Sequence, residues 1–181
     1  PNLKSAINGG TGDDDITGGS AVDTIDGGGG ADTLTGGAGD DVYLFDSGDV
    51  AATESIVESG GGGTDVISLD ENVDFTNMTA GSFDEIEQIQ FAGSSRTGTF
   101  TGAQLTNEVI QLTETGSGTN NLVVTVASGT TADFSNLANG TGWDVNADTI
   151  TINGVDIGAE TITGPNLKSA INGGTGDDDI T

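Results

Sequence analysis

Four aspartates, Asp14, Asp23, Asp32 and Asp41, recur at nine-residue intervals, each closing a glycine-rich stretch. The units are GGTGDDDIT (9–17), GGSAVDTID (18–26), GGGGADTLT (27–35) and GGAGDDVYL (36–44). All fit G-G-x-G-x-D-x-U-x, where U is apolar, with one departure: Ala21 replaces the third glycine of the second unit. Carboxylates at a fixed place are ligands for a hard cation. Glycines adopt φ > 0 without a Cβ clash and can aim their carbonyls inward beside those carboxylates. Such an oxygen set suits Ca²⁺, which takes six to eight oxygen ligands in tolerant geometry. The chain has no Cys and no His, so soft and borderline metals lack their usual ligands.

The elements that must hold these turns follow from the same period. Six residues of turn leave three of strand, and in Asp15-Ile16-Thr17 only the central residue points inward. Two units make a coil of eighteen residues with a short strand on each side. Ile7, Ile25 and Tyr43 then stack in one sheet, and Ile16 and Leu34 in the other. Asp14 stacks over Asp32, and Asp23 over Asp41. One buried apolar side chain per strand contributes roughly 1.5–3 kcal/mol, whereas each ordered residue costs about 1–2 kcal/mol of backbone entropy. So thin a core needs a second staple, and several Ca²⁺ ions in the turns would supply it. Strict nine-residue phase also argues against a flexible glycine linker, which carries no phase.

A longer repeat encloses the first. Residues 1–17, PNLKSAINGGTGDDDIT, return unchanged at 165–181, so Pro165 stands where Pro1 stood and a second period opens. Ile162, Ile171 and Ile180 keep the nine-residue phase, and Glu160 lies eighteen residues before Asp178. The roll is therefore expected to run through the boundary between tandem modules, with both termini falling inside a motif. The expected organisation is a β-roll over 1–45, a Gly-rich connection over 46–64, a solenoid segment over 65–152 and, over 153–181, a roll that opens the next repeat.

Within 65–152 several apolar runs alternate with period two between Gly, Asn, Asp and Thr. Ile67, Ile89 and Ile110 follow one another at nearly equal intervals, each longer than a coil of the roll. That spacing suits a wider parallel β-solenoid on the roll's axis. The alternative for 65–152 is an antiparallel β-sandwich. No amphipathic helix is evident; Ala80 to Ile86 could supply one turn at most. The fold class expected is all-β, a calcium-binding parallel β-roll continuing into a wider β-helix.

Composition narrows the functions. Twenty-nine acidic residues face three basic ones, and the net charge is −26. Nucleic-acid binding needs a basic footprint and is excluded. Enzymatic activity is not expected, since there is no His, no Cys and no cluster of Lys or Arg. No apolar run suggests direct membrane insertion. Trp143 and Phe134 read as core residues. Asn77-Met78-Thr79 and Asn139-Gly140-Thr141 match the glycosylation sequon, so glycans are a further class of partner.

The nonapeptides resemble the RTX family of bacterial calcium-binding proteins, closely over 9–44 and 173–181 and more loosely over 154–172. The resemblance implies a parallel β-roll with calcium held between neighbouring turns by sixth-place aspartates and turn carbonyls. Carried over, this implies Asp14 with Asp32, Asp23 with Asp41, and the carbonyls of Gly10, Gly12, Gly19, Gly28, Gly30, Gly37 and Gly39. In the second copy it implies Asp178, Gly174 and Gly176. Glu160, and Ser5 and Ser169 at the aspartate place, imply weaker sites at the junction. The family is usually exported by type I secretion and folds outside the cell. The expected role is thus a secreted structural repeat of a bacterial surface protein, such as a filament, S-layer component or adhesin stalk. Its partners would be neighbouring copies, end to end. The competing expectation is an adhesive or carbohydrate-binding RTX module, which calls for an exposed aromatic row.

Overall fold

The computed structural model describes residues 3–58, 62–155 and 158–181. Ser59, Gly60 and Gly61 of the glycine run, and Asp156 and Ile157 of the closing segment, lie outside the described residues. The roll begins with β1 (Ala6–Thr11), β2 (Asp15–Gly19), β3 (Thr24–Gly29), β4 (Thr33–Gly37), β5 (Val42–Phe45) and β6 (Ser55–Ile56). The wider part follows with β7 (Val66–Leu69), β8 (Val73–Asp74), β9 (Gln88–Phe91), β10 (Thr97–Thr101), β11 (Gln111–Glu114) and β12 (Asn121–Val126). Then come β13 (Thr131–Asp133), β14 (Ala138–Asn139), β15 (Thr149–Gly154), β16 (Thr161–Thr163), β17 (Ser169–Asn172) and β18 (Asp179–Ile180).

The strands form four sheets, ordered β1-β3-β5-β7-β9-β11-β14, β2-β4-β6, β8-β10-β12-β15-β17 and β13-β16-β18. Every pairing is parallel. Strands adjacent in sequence lie in different sheets or are linked by a full coil, so the chain winds as a solenoid. The antiparallel sandwich entertained for 65–152 is therefore not what forms. Parallel coils need no hairpin turns, which is why the long gaps between strands there are filled by corners.

The roll has the register its period dictates. Ile7 pairs with Ile25 and Ile25 with Tyr43 in the first sheet, while Ile16 pairs with Leu34 in the second. The first sheet then runs on without interruption: Tyr43 pairs with Ile67, Ile67 with Ile89 and Ile89 with Leu112. Leu112, not Ile110, therefore continues the inward column. Ile110 is buried one residue ahead of β11, because the loop that precedes it makes this coil slightly longer than the one before.

The core grows as the coils widen. Beside Tyr43 and Ile67 a second inward row appears, Phe45 paired with Leu69 and Leu69 with Phe91. Phe75 stacks on Phe100 at 4.8 Å, and Phe45 and Phe83 pack edge-on against Phe75 at 5.2 and 6.0 Å. Trp143 closes the far part against Phe91 at 5.3 Å. Among the described residues helix is confined to a 3₁₀ turn at Ala80–Phe83 and to α1 (Gly102–Leu105), of which the second is not legible as a period. Gln104 of α1 is buried and fully used: it accepts the Thr101 N–H at 2.7 Å and donates to the carbonyls of Phe75 and Met78.

Candidate metal centre

Each sixth-place aspartate sits one residue ahead of a strand, where the turn hands over to the sheet. There, in Asp23, Asp32 and Asp41, one carboxylate oxygen accepts the backbone N–H of the residue one coil earlier. Ser5 donates to Asp23 at 2.7 Å, Asp14 to Asp32 at 2.9 Å and Asp23 to Asp41 at 2.7 Å. The second copy repeats this: the Glu160 N–H donates to Asp178 at 3.1 Å. The expected stacks, Asp14 with Asp32, Asp23 with Asp41 and Glu160 with Asp178, are thus brought together, each through a main-chain bond.

Four carboxylate oxygens of these turns take no part in the ladder. Asp14 Oδ2, Asp32 Oδ2, Asp41 Oδ2 and Glu160 Oε2 are buried without a hydrogen-bond partner. Asp32 and Asp41 are wholly buried. A buried charged oxygen with no donor costs several kcal/mol, on the order of what breaking a buried ion pair costs. A cation removes that cost.

The first glycine of each unit shows where the orphan oxygens point. A Cβ at Gly9 would lie 2.6 Å from Asp14 Oδ2 and 2.7 Å from the Gly27 carbonyl oxygen. At Gly18 the corresponding atoms are Asp23 Oδ2 at 2.7 Å and the Gly36 carbonyl oxygen at 2.5 Å. At Gly154 they are the Gly173 carbonyl oxygen at 2.5 Å and Glu160 Oε2 at 3.2 Å. A carboxylate of one coil and a carbonyl of the next therefore face a common space that only glycine leaves open. These are hard oxygen donors, and they fit Ca²⁺. Among the described residues no group of three or more acidic, His or Cys side chains converges, as expected where half the donors are carbonyls.

The second and fourth glycines make the stacking possible. Gly28 has φ +82° and a Cβ there would lie 2.1 Å from the Gly10 carbonyl oxygen; Gly30 has φ +146° and the same distance to that of Gly12. Gly10, Gly12, Gly37, Gly39 and Gly174 share the left-handed conformation, whereas Gly19 and Gly176 do not. Gly19 belongs to the unit carrying Ala21, whose side chain disfavours φ > 0, so the second turn takes a different path.

The ladder extends beyond the nonapeptides to residues that a nine-residue count does not reach. Asp32 N–H donates to Glu54 at 3.0 Å, Asp41 to Asp65 at 2.8 Å and Asp65 to Glu87 at 2.7 Å. In the third sheet Arg96 donates to Asn120 at 2.8 Å and Asn120 to Asp148 at 2.7 Å. The available signal is an acid or amide immediately ahead of each apolar run, as in Asp65-Val66-Ile67 and Asp148-Thr149-Ile150. Burial pushes the Glu54 carboxyl up to about 7, offset in part by the Asp32 N–H and reinforced by the Asp32 and Asp49 charges. Burial likewise pushes Asp65 up to about 6, against the Asp41 N–H and with the charges of Asp41, Glu87 and Asp40.

Stacked glycine turns on a parallel roll, with a buried and unpartnered carboxylate oxygen at Asp14, Asp32, Asp41 and Glu160, are the architecture of a hard-cation-binding β-roll. Residues 8–43 match the family model of the RTX calcium-binding nonapeptide repeat, in four copies. Comparison with curated proteins and with solved structures gives no match. Repeats of this family are typically structural and occur in secreted proteins.

Proposed function

We propose that the chain is a structural repeat of a calcium-rigidified bacterial surface protein, secreted and built from tandem modules stacked end to end. The observation that carries this reading is the placement of the second copy of residues 1–17. Ser169–Asn172 pairs with β15, setting Ile171 against Ile152, and Asp179–Ile180 pairs with β16, setting Ile180 against Ile162. Ile171 is the counterpart of Ile7, which pairs with Ile25. The third sheet of one module is thus continued by strands that open the first sheet of the next. Asp178, counterpart of Asp14, takes the Glu160 N–H as Asp32 takes that of Asp14. Glu160 and Asp178, with Gly174, supply a ligand set at the seam. Exposed strand edges at the ends of a solenoid favour such continuation.

A carbohydrate-binding role draws no support from the aromatic residues. Tyr43, Trp143 and all six phenylalanines are buried in the core, so none offers a stacking platform. A rod-like spacer in a filament, S-layer or adhesin stalk fits the uniform parallel register.

Two measurements test this. Far-UV circular dichroism during a calcium titration should show a cooperative gain of β structure that magnesium does not produce. Small-angle scattering of a chain carrying two periods should then show a rod about twice as long as one period. A spectrum already β-rich in chelator and indifferent to calcium, or two periods that tumble independently in calcium, would remove the reading.

A further inference from the structure

Residues 1–17 and 165–181 are one sequence in two settings. The first copy is paired with the coil that follows it: Ile7 on Ile25 and Ile16 on Leu34. Its Ser5 N–H is donated to Asp23 at 2.7 Å and its Asp14 N–H to Asp32 at 2.9 Å. The second copy is paired with the coil that precedes it: Ile171 on Ile152 and Ile180 on Ile162, with Asp178 accepting the Glu160 N–H at 3.1 Å. In both copies the strands, β1 and β2 or β17 and β18, stand last in their sheets. Burial follows the setting, not the sequence. Ile16 is 7% exposed and its counterpart Ile180 45%. Leu3 is 72% exposed, whereas its counterpart Leu167 packs against the core. Each copy therefore leaves open the edge that the other fills.

Because the two copies are identical, β3 and β4 cannot distinguish residues 1–17 of their own chain from residues 165–181 of another. We propose that two copies of this chain join by exchange, residues 165–181 of one displacing residues 1–17 of the other from β3 and β4. Ile171 then lies on Ile25 of the second chain and Ile180 on its Leu34. The N–H groups of Ser169 and Asp178 meet the carboxylates of its Asp23 and Asp32. The proposal rests on the tandem reading, since it uses the same seam, and adds that the seam forms between chains as well as within one.

The exchange conserves contacts: each pairing lost within a chain is replaced by one of identical sequence between chains. The displaced segment regains conformational freedom, which offsets part of the translational freedom lost on association. Exchange of an identical element is for this reason a low-cost route to association. Stacking β17 on β1 of a second chain, without displacement, is poorer. It would set Ser169 over Ser5, where no carboxylate replaces Asp23 as acceptor of the N–H. The contact is heterologous, so joined copies keep one free donor segment and one acceptor edge and grow in line. Two chains of charge −26 repel, and calcium or added salt is needed to bring them together.

Sedimentation of the full chain in calcium, over a range of concentrations and with folding followed by circular dichroism, tests this. The expected result is a series of multiples of 17.9 kDa that lengthens with concentration. The same substitution in the two copies should act in opposite directions. Ile16→Ala loosens the segment that must leave, and should move the series to concentrations at least about tenfold lower. Ile180→Ala weakens the donor and should move it upward. Stacking without exchange sets Ile180 on Ile16, so both substitutions would then weaken association. Ile16→Val carries the same expected sign should Ile16→Ala not fold. A folded chain that stays monomeric at every concentration, or an upward shift in the Ile16 variants, would overturn the exchange while leaving the tandem reading intact. A chain that calcium does not fold would overturn that reading as well.

Discussion

Asp32 accepts the backbone N–H of Asp14 at 2.9 Å with one carboxylate oxygen and holds the other, Oδ2, buried and unpartnered. One side chain thus serves two ends: Oδ1 fixes the spacing of two coils and Oδ2 faces the metal space. The two roles can be separated by substitution.

Asp32→Asn should retain an acceptor for the Asp14 N–H while removing the buried charge. The expected result is a crossover: the variant is more stable than the parent in chelator and less stable in calcium, by about 1–3 kcal/mol each way. Asp32→Ala removes the acceptor too and should be less stable in both. Thermal unfolding followed by circular dichroism in calcium and in chelator distinguishes these cases. Equal ranking in both conditions would assign Asp32 to the fold alone.

Gly28 and Gly29 provide a neighbouring contrast. An alanine at Gly28 must take φ +82° and place its Cβ 2.1 Å from the Gly10 carbonyl oxygen. At Gly29 nothing lies within 4 Å of a Cβ. Gly28→Ala should cost at least about 1–2 kcal/mol for the left-handed backbone, plus the clash, while Gly29→Ala should be near neutral. Urea midpoints in calcium test the pair.

Acid should stabilise the metal-free fold. Glu54 is pushed up to about 7, as is Glu58, chiefly by burial and then by the Asp65 charge, and Asp65 to about 6. The folded state therefore binds protons more tightly than the unfolded chain. Stability is greatest below the ordinary carboxylate range and is lost as pH rises through about 6–7. Calcium needs these carboxylates ionised, so its binding should release protons near pH 6.5 and weaken as pH falls. Calorimetry in buffers of different ionisation enthalpy measures the release. A metal-free chain more stable at pH 8 than at pH 5 would contradict the assignment.

Ile25 lies between Ile7 and Tyr43 in the first sheet and is wholly buried. Ile25 is the one apolar side chain that β3 turns inward, so no neighbour on its own strand can fill the space it leaves. Ile25→Ala should cost about 2–5 kcal/mol and raise the calcium concentration needed for folding. A calcium-titration midpoint that does not move would mean that the roll draws no stability from this column.

The roll is legible in the sequence because one period fixes strand and turn together. The columns Ile7–Ile25–Tyr43 and Ile16–Leu34, and the stacks Asp14–Asp32 and Asp23–Asp41, all follow from counting nine. The count fails after Tyr43, where the next inward residues, Ile67, Ile89 and Leu112, follow at wider and unequal intervals. The rule that outlasts the period is positional: an acid or amide ahead of the strand caps the previous coil. Glu54, Asp65, Glu87 and Asp148 obey it, and they escape any reading guided by spacing alone. The short helix α1 escapes for a different reason, being about one turn long, too short to show a helical period.

At the corner ahead of the first sheet, the column Ser5, Asp23, Asp41, Asp65 and Glu87 gives way to Ile110 and Leu137, both buried. The stiffness of the molecule is consequently of two kinds. Coils up to Glu87 meet at that corner through carboxylates that cap main-chain N–H groups, those beyond it through apolar side chains. If the turns take up calcium as proposed, removing it would soften the first stretch and spare the second, so tandem modules would slacken into firm beads on pliant links, with a bending length set by the composition of the surrounding water.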